Sequence, residues 1–84
     1  MAKITRSEAD GWFQISLGAA QIQISPNYKG SLNITHSATI PTENEGDFQL
    51  RGFNYGIEVT LGSEPCWVKV IGDGPLTFSY ADIS

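Results

Sequence analysis

The sequence has little of what usually staples a small protein together. Cys66 is the only cysteine among the 84 residues, so no internal disulfide is possible. His36 is the only histidine and lies far from Cys66, which leaves no Cys/His cluster for a structural zinc ion. A domain of this size buries a small core and tends to need such a staple. By elimination, we expect the chain to form homo-oligomers or to dock onto a larger surface.

Charged residues are also scarce. They make up 17% of the chain, against roughly 25% in an average domain, and the net charge is −4. Phosphate binding needs a concentrated positive field, whereas the five basic residues are scattered along the chain. They are Lys3, Arg6, Lys29, Arg51 and Lys69. We therefore expect no nucleic-acid partner.

Long hydrophobic runs are absent. No run approaches the roughly 20 apolar residues of a membrane-spanning helix, so we expect no membrane partner. The first residues, MAKITRSEADGW, carry charges with no apolar stretch behind them, which is not the pattern of a signal peptide. We expect synthesis in the cytosol.

What the sequence does have is a series of short runs in which apolar and polar residues alternate, the pattern of half-buried β-strands. No segment shows the helical spacing i, i+3, i+4, i+7. About seven short strands separated by turns predict an all-β fold, a small antiparallel β-sandwich or barrel. The main core is predicted from Phe13, Ile15, Ile57 and Val59. The runs are residues 11–17, 21–25, 31–40, 48–50, 53–61, 66–71 and 76–80.

The predicted domain spans residues 11–84. Residues 1–10 show no apolar periodicity and are predicted to form an N-terminal arm, laid over a neighbour or a shell and ordered only when docked.

The run CWVKVI, residues 66–71, is apolar on both faces, because Cys66, Val68 and Val70 alternate with Trp67 and Ile71. A strand of this kind must be covered on both sides. A two-layer domain covers one side with its own core. We therefore predict that Trp67, Val68, Val70 and Ile71 supply core and subunit contact.

One loop gathers oxygen ligands of the kind that Ca²⁺ accepts. Glu43, Asn44, Glu45 and Asp47 surround Gly46. Their spacing is not that of an EF-hand, and exposed β-connections are commonly acidic. We interpret the loop as solvated, with a calcium site as the alternative.

No residues indicate catalysis. His36 has no serine or aspartate at a spacing typical of a triad, and Cys66 begins an apolar strand, as a buried small hydrophobe would. We predict no catalytic residue and no cofactor. A small hydrolase would need a nucleophile paired with a base, and the sequence shows no such pair.

Two aromatic residues fall outside the predicted core pattern. Trp12 and Tyr28 could stack on sugar rings or anchor a protein interface. A carbohydrate-binding module, with these residues as platforms and nearby Asn and Gln as polar partners, is the alternative function. The other reading of Trp12 is that it fills the core of a small sandwich.

The order of motifs from Ser31 to Tyr80 resembles a known class of proteins. A strand ends in SATIPT and is followed by a polar loop with Gly46, then FQL, Arg51-Gly52, a further strand and CWVKVIGDGPLTFSY. This order is similar to the small β-structured virion proteins of tailed bacteriophages, of the capsid decoration, head-fibre and tail-accessory types. The sequence departs from their common form at Phe53, where a polar or acidic residue often follows the glycine.

The resemblance implies a non-enzymatic virion component that is made in the host cytoplasm. It would be a homotrimer or other symmetric oligomer, with capsid or tail proteins as its partners. The leading hypothesis is thus a structural protein that decorates or cements a phage particle.

Overall fold

The fold is described from a computed structural model over residues 1–24, 28–42, 46, 48–51 and 56–84. These residues contain eight β-strands and one short 3₁₀-helix, Glu8–Asp10. The strands are β1 Ala2–Arg6, β2 Phe13–Ser16, β3 Ala20–Ile24, β4 Ser31–His36, β5 Phe48–Arg51, β6 Glu58–Thr60, β7 Cys66–Ile71 and β8 Leu76–Asp82.

The strands form two four-stranded sheets that pack face to face. The first sheet has the order β1-β8-β3-β6 and the second the order β2-β7-β4-β5. Every pair of neighbouring strands is antiparallel. The prediction of an all-β fold, a small antiparallel sandwich or barrel, is therefore confirmed, and the fold is a sandwich. The described residues form eight strands, against about seven predicted.

Residues 1–10 are predicted to form an arm, but their first part is a strand of the first sheet. Strand β1 is an edge strand of the first sheet and pairs with β8 from Ala2 opposite Tyr80 to Arg6 opposite Leu76. Ile4 packs against the core, while Ala2 and Lys3 are exposed. A five-residue edge strand with one large apolar residue turned inward is too short to show a period in sequence.

The core lies between the sheets and is built by alternation. In β7, Cys66, Val68 and Val70 are buried, and the residues between them are half-buried. Seven large aliphatic and aromatic side chains have at most 1% of their surface exposed. They are Ile22, Leu32, Ile34, Val68, Val70, Leu76 and Phe78.

The predicted core is right for β2 and wrong for the residues at and next to β6. Ile15 is buried and Phe13 packs against the core, as predicted. Ile57 and Val59, however, are 53% and 51% exposed, and Thr60 is the buried residue of β6. Alternation identifies the two faces of a strand but not which of them is buried. In β6 the face that carries Thr60 turns towards the core, and the face that carries Val59 turns outward.

Each end of the sandwich is closed by side-chain hydrogen bonds to the backbone of a turn. At one end the Tyr28 hydroxyl donates to the Gly74 carbonyl oxygen at 2.9 Å, and the Gly72 amide donates to a Glu8 carboxylate oxygen at 3.0 Å. At the other end, the Leu17 amide donates to Asp82 Oδ2 at 3.0 Å. These contacts fix the turns that join the two sheets.

Candidate interaction surface

The four residues predicted for subunit contact divide between core and surface. Val68 and Val70 are each 1% exposed and lie between the sheets, so of the predicted core and subunit contact they supply the core and not the interface. Trp67 and Ile71 point to the outer side of the second sheet and are half-buried. The Trp67 indole Nε1–H donates to the Ser37 carbonyl oxygen at 3.0 Å, so the chain's own backbone already provides a partner for this side chain.

Trp12 and Tyr28, the predicted glycan or partner contacts, are both half-buried. Tyr28 packs against the core, and its hydroxyl is bonded to the Gly74 carbonyl. Burial, followed by the nearby charges of Asp73 and Glu8, raises the pKa of Tyr28. The geometry gives Tyr28 a structural task at the β7–β8 turn. A glycan contact at Trp12 stays a prediction.

The two residues considered for catalysis occupy structural positions. His36 Nδ1 lies 2.8 Å from the Glu64 carbonyl oxygen. Cys66 is buried, its sulfur lies 3.7 Å from the Thr60 hydroxyl, and burial raises the pKa of its thiol. A raised pKa keeps the thiol protonated at neutral pH, and a protonated thiol is a poor nucleophile.

The predicted calcium alternative falls mostly outside the described residues. Glu43, Asn44, Glu45 and Asp47 lie there, and Gly46 approaches the backbone of β4 at Ile34. The described part of the chain contains no group of three or more His, Cys, Asp or Glu side chains placed to hold a metal ion. Nor does any helix in that part have the length and apolar character needed to cross a membrane.

Large exposed apolar side chains gather at the β6 edge of the first sheet. Leu61 is 85% exposed and Leu17 is 69% exposed, and both come directly before a glycine. Together with three further residues that are 42% to 53% exposed, they form what we call the β6 strip. The β6 strip consists of Leu17, Ile57, Val59, Leu61 and Ile83.

Strand register brings these residues to one corner of the molecule. Val59 lies opposite Gln21 of β3, and Gln21 lies opposite Ala81 of β8. The Ile83 amide donates to the Ala19 carbonyl oxygen at 3.1 Å. Leu17 and Leu61 are carried by turns that touch, because a Cβ on Gly18 would lie 3.3 Å from the Gly62 carbonyl oxygen.

The strip borders a sheet face that is almost free of charge, which we call the neutral face. It is the outer side of the first sheet, where Lys3 is the one charged residue among those the structure describes. Its other residues are uncharged, and two of them, Val59 and Ala81, are apolar. The hydroxyls of Thr5 and Thr77 are hydrogen-bonded across this face at 2.7 Å. Its residues are Lys3, Thr5, Gln21, Gln23, Val59, Thr77, Ser79 and Ala81.

The sequence pattern missed this surface because it predicts Ile57 and Val59 in the main core. The available signal was position, since Leu17 and Leu61 stand at turns marked by Gly18 and Gly62, where a strand leaves the core.

Comparison of the chain with protein-family models, with curated proteins and with solved structures found no match.

Proposed function

We propose that this chain is a non-enzymatic structural protein of a tailed bacteriophage. It self-associates and decorates or cements the capsid, or attaches to the tail. It is made in the host cytoplasm and resides in the virion. The observation that carries the proposal is the β6 strip, an exposed apolar surface on a small domain without disulfide or zinc.

Burial supports the self-associating part of the proposal. The largest apolar patch on a monomeric soluble protein measures about 300–600 Å² and is often a functional surface. Leu61, Leu17 and Val59 are each more than half exposed at one corner of the fold. A second protein surface at this corner would remove them from water.

The order of motifs supports the assignment to a phage particle. The residues of SATIPT follow β4, and WVKV lies within β7, the strand that pairs with β2 and β4 in the second sheet. Closed rotational symmetry is the usual arrangement of soluble homo-oligomers, and the resemblance favours a trimer.

Two measurements test the proposal. Light scattering behind size exclusion should give a mass that is a small multiple of 9.1 kDa at micromolar concentration. The chain should also co-purify with intact phage particles through a density gradient and be detected there by mass spectrometry. A single-chain mass at every concentration would overturn self-association, and absence from washed particles would overturn the virion assignment.

A further inference from the structure

We infer that the β6 strip is the contact between copies of this chain, with the same strip from each copy meeting on a rotation axis. This inference rests on the self-association proposed above and identifies the surface responsible for it. The occupant of the strip is a second copy of the chain, and the neutral face extends the contact.

Charge favours a second copy at this surface. Each chain carries a net charge of −4, so two copies repel unless they meet where carboxylates are few. On the neutral face Lys3 is the one charged residue among those the structure describes. Interface cores are depleted of charged residues in the same way. Beside the strip, the Asp82 carboxylate accepts hydrogen bonds from the Leu17 and Ser84 amides, and Glu58 is exposed. At the opposite end, Glu8, Asp10 and Asp73 would oppose their own copies.

Size also fits a second copy. The five side chains of the β6 strip expose between 42% and 85% of their surface, which amounts to on the order of 300 Å² of apolar area. A standard interface buries about 800 Å² per partner, of which the apolar part is somewhat more than half. The strip supplies much of that apolar part, and the uncharged residues around it can supply the polar rim.

The contact is between faces rather than between strand edges. Strand β6 is the last strand of its sheet among the described residues, and such an edge can template pairing with another chain. Glu58 is the first residue of this three-residue strand and is exposed. Antiparallel pairing centred on Val59 would place the Glu58 carboxylates of two copies diagonally across the new ladder. Packing through Val59 and Leu61 avoids this repulsion.

The test compares two matched substitutions of exposed apolar residues. Val59→Lys puts a charge into the proposed contact, while Ile40→Lys makes the same kind of change at a residue that is 57% exposed and outside the β6 strip. Burying an unpaired charge should weaken association about a hundredfold or more. The Val59→Lys protein should therefore be monomeric at a concentration where the Ile40→Lys protein keeps the wild-type mass.

Circular dichroism and a cooperative denaturation curve establish that each variant is folded. Leu61→Ser, at a residue that is 85% exposed, serves as the milder second variant and should also shift the mass towards the monomer. A wild-type mass in folded Val59→Lys or Leu61→Ser overturns this inference but leaves self-association standing. Equal loss of assembly in Ile40→Lys overturns it too, because the contact would then not be specific to the strip.

A wild-type protein that is monomeric at all concentrations removes the proposed self-association itself. If that monomer binds phage particles and Val59→Lys abolishes the binding, the β6 strip faces the particle, and the inference of a copy-to-copy contact is overturned.

Discussion

At the scale of single residues, the closest packing near the candidate surface is between Gly62 and His36. A Cβ on Gly62 would lie 2.5 Å from the His36 ring, and that ring is held by the contact of Nδ1 with the Glu64 carbonyl. The ring cannot move aside without losing this contact. Gly62→Ala should therefore lower the free energy of unfolding by about 1–3 kcal/mol, the range for overpacked sites, as measured by urea denaturation.

The matched control for this prediction is a double-mutant cycle. In the His36→Ala background the ring is absent, so Gly62→Ala should cost much less than in the wild type. Equal costs in the two backgrounds would show that the effect comes from the backbone of Gly62 rather than from the imidazole.

Residue types alone predicted some individual roles and missed others. Cys66 was interpreted as a buried small hydrophobe, and the structure buries it. Tyr28 is predicted as a ligand contact because it falls outside the predicted core pattern. In the structure its hydroxyl donates to the Gly74 carbonyl oxygen, 46 residues along the chain. A partner at such a distance depends on how the strands are ordered, which local spacing does not specify.

At the scale of elements, alternation predicted the strands well where both neighbours are present. Strand β7 lies between β2 and β4, and its alternating burial follows the sequence pattern. The pattern failed at the two edges of the first sheet, although it predicted the inward residues of β2, an edge strand of the second sheet. Strand β6 turns Thr60 inward and Val59 outward. The sequence of β1, AKITR, shows no apolar period. An edge strand is packed on fewer sides, so fewer of its residues are forced to be apolar.

A pair of substitutions in β1 tests whether this segment is a strand of the fold or a loose arm. Ile4 packs against the core, whereas Lys3 on the same strand is exposed. Ile4→Ala should lower the free energy of unfolding by about 1–3 kcal/mol, because it removes part of a half-buried side chain from the core. Lys3→Ala is the control and should stay within about 0.5 kcal/mol of the wild type in the same urea titration. Equal stability of the two variants would mean that residues 1–10 are a loose arm after all.

The candidate surface could be predicted only in part. The sequence indicates that apolar area is left over for another copy or a larger surface to cover, because the chain has one cysteine, no Cys/His cluster for zinc and few charged residues. It assigns that area to Trp67, Val68, Val70 and Ile71 of β7. The structure buries the two valines and half-buries the other two residues. It exposes Leu61 and Val59 more. Which strand lies at an edge follows from the strand order β1-β8-β3-β6, and local periodicity does not reveal that order.

At the scale of the whole molecule, the proposed assembly links stability to concentration. If folded copies associate and unfolded chains do not, dilution lowers the thermal midpoint by mass action. For a chain of 84 residues, a hundredfold dilution should lower the midpoint by about 5–10 °C. The midpoint of Val59→Lys should not move, because its copies no longer meet. Differential scanning fluorimetry over that range checks both, and a wild-type midpoint as constant as that of Val59→Lys would mean that one chain holds its fold alone.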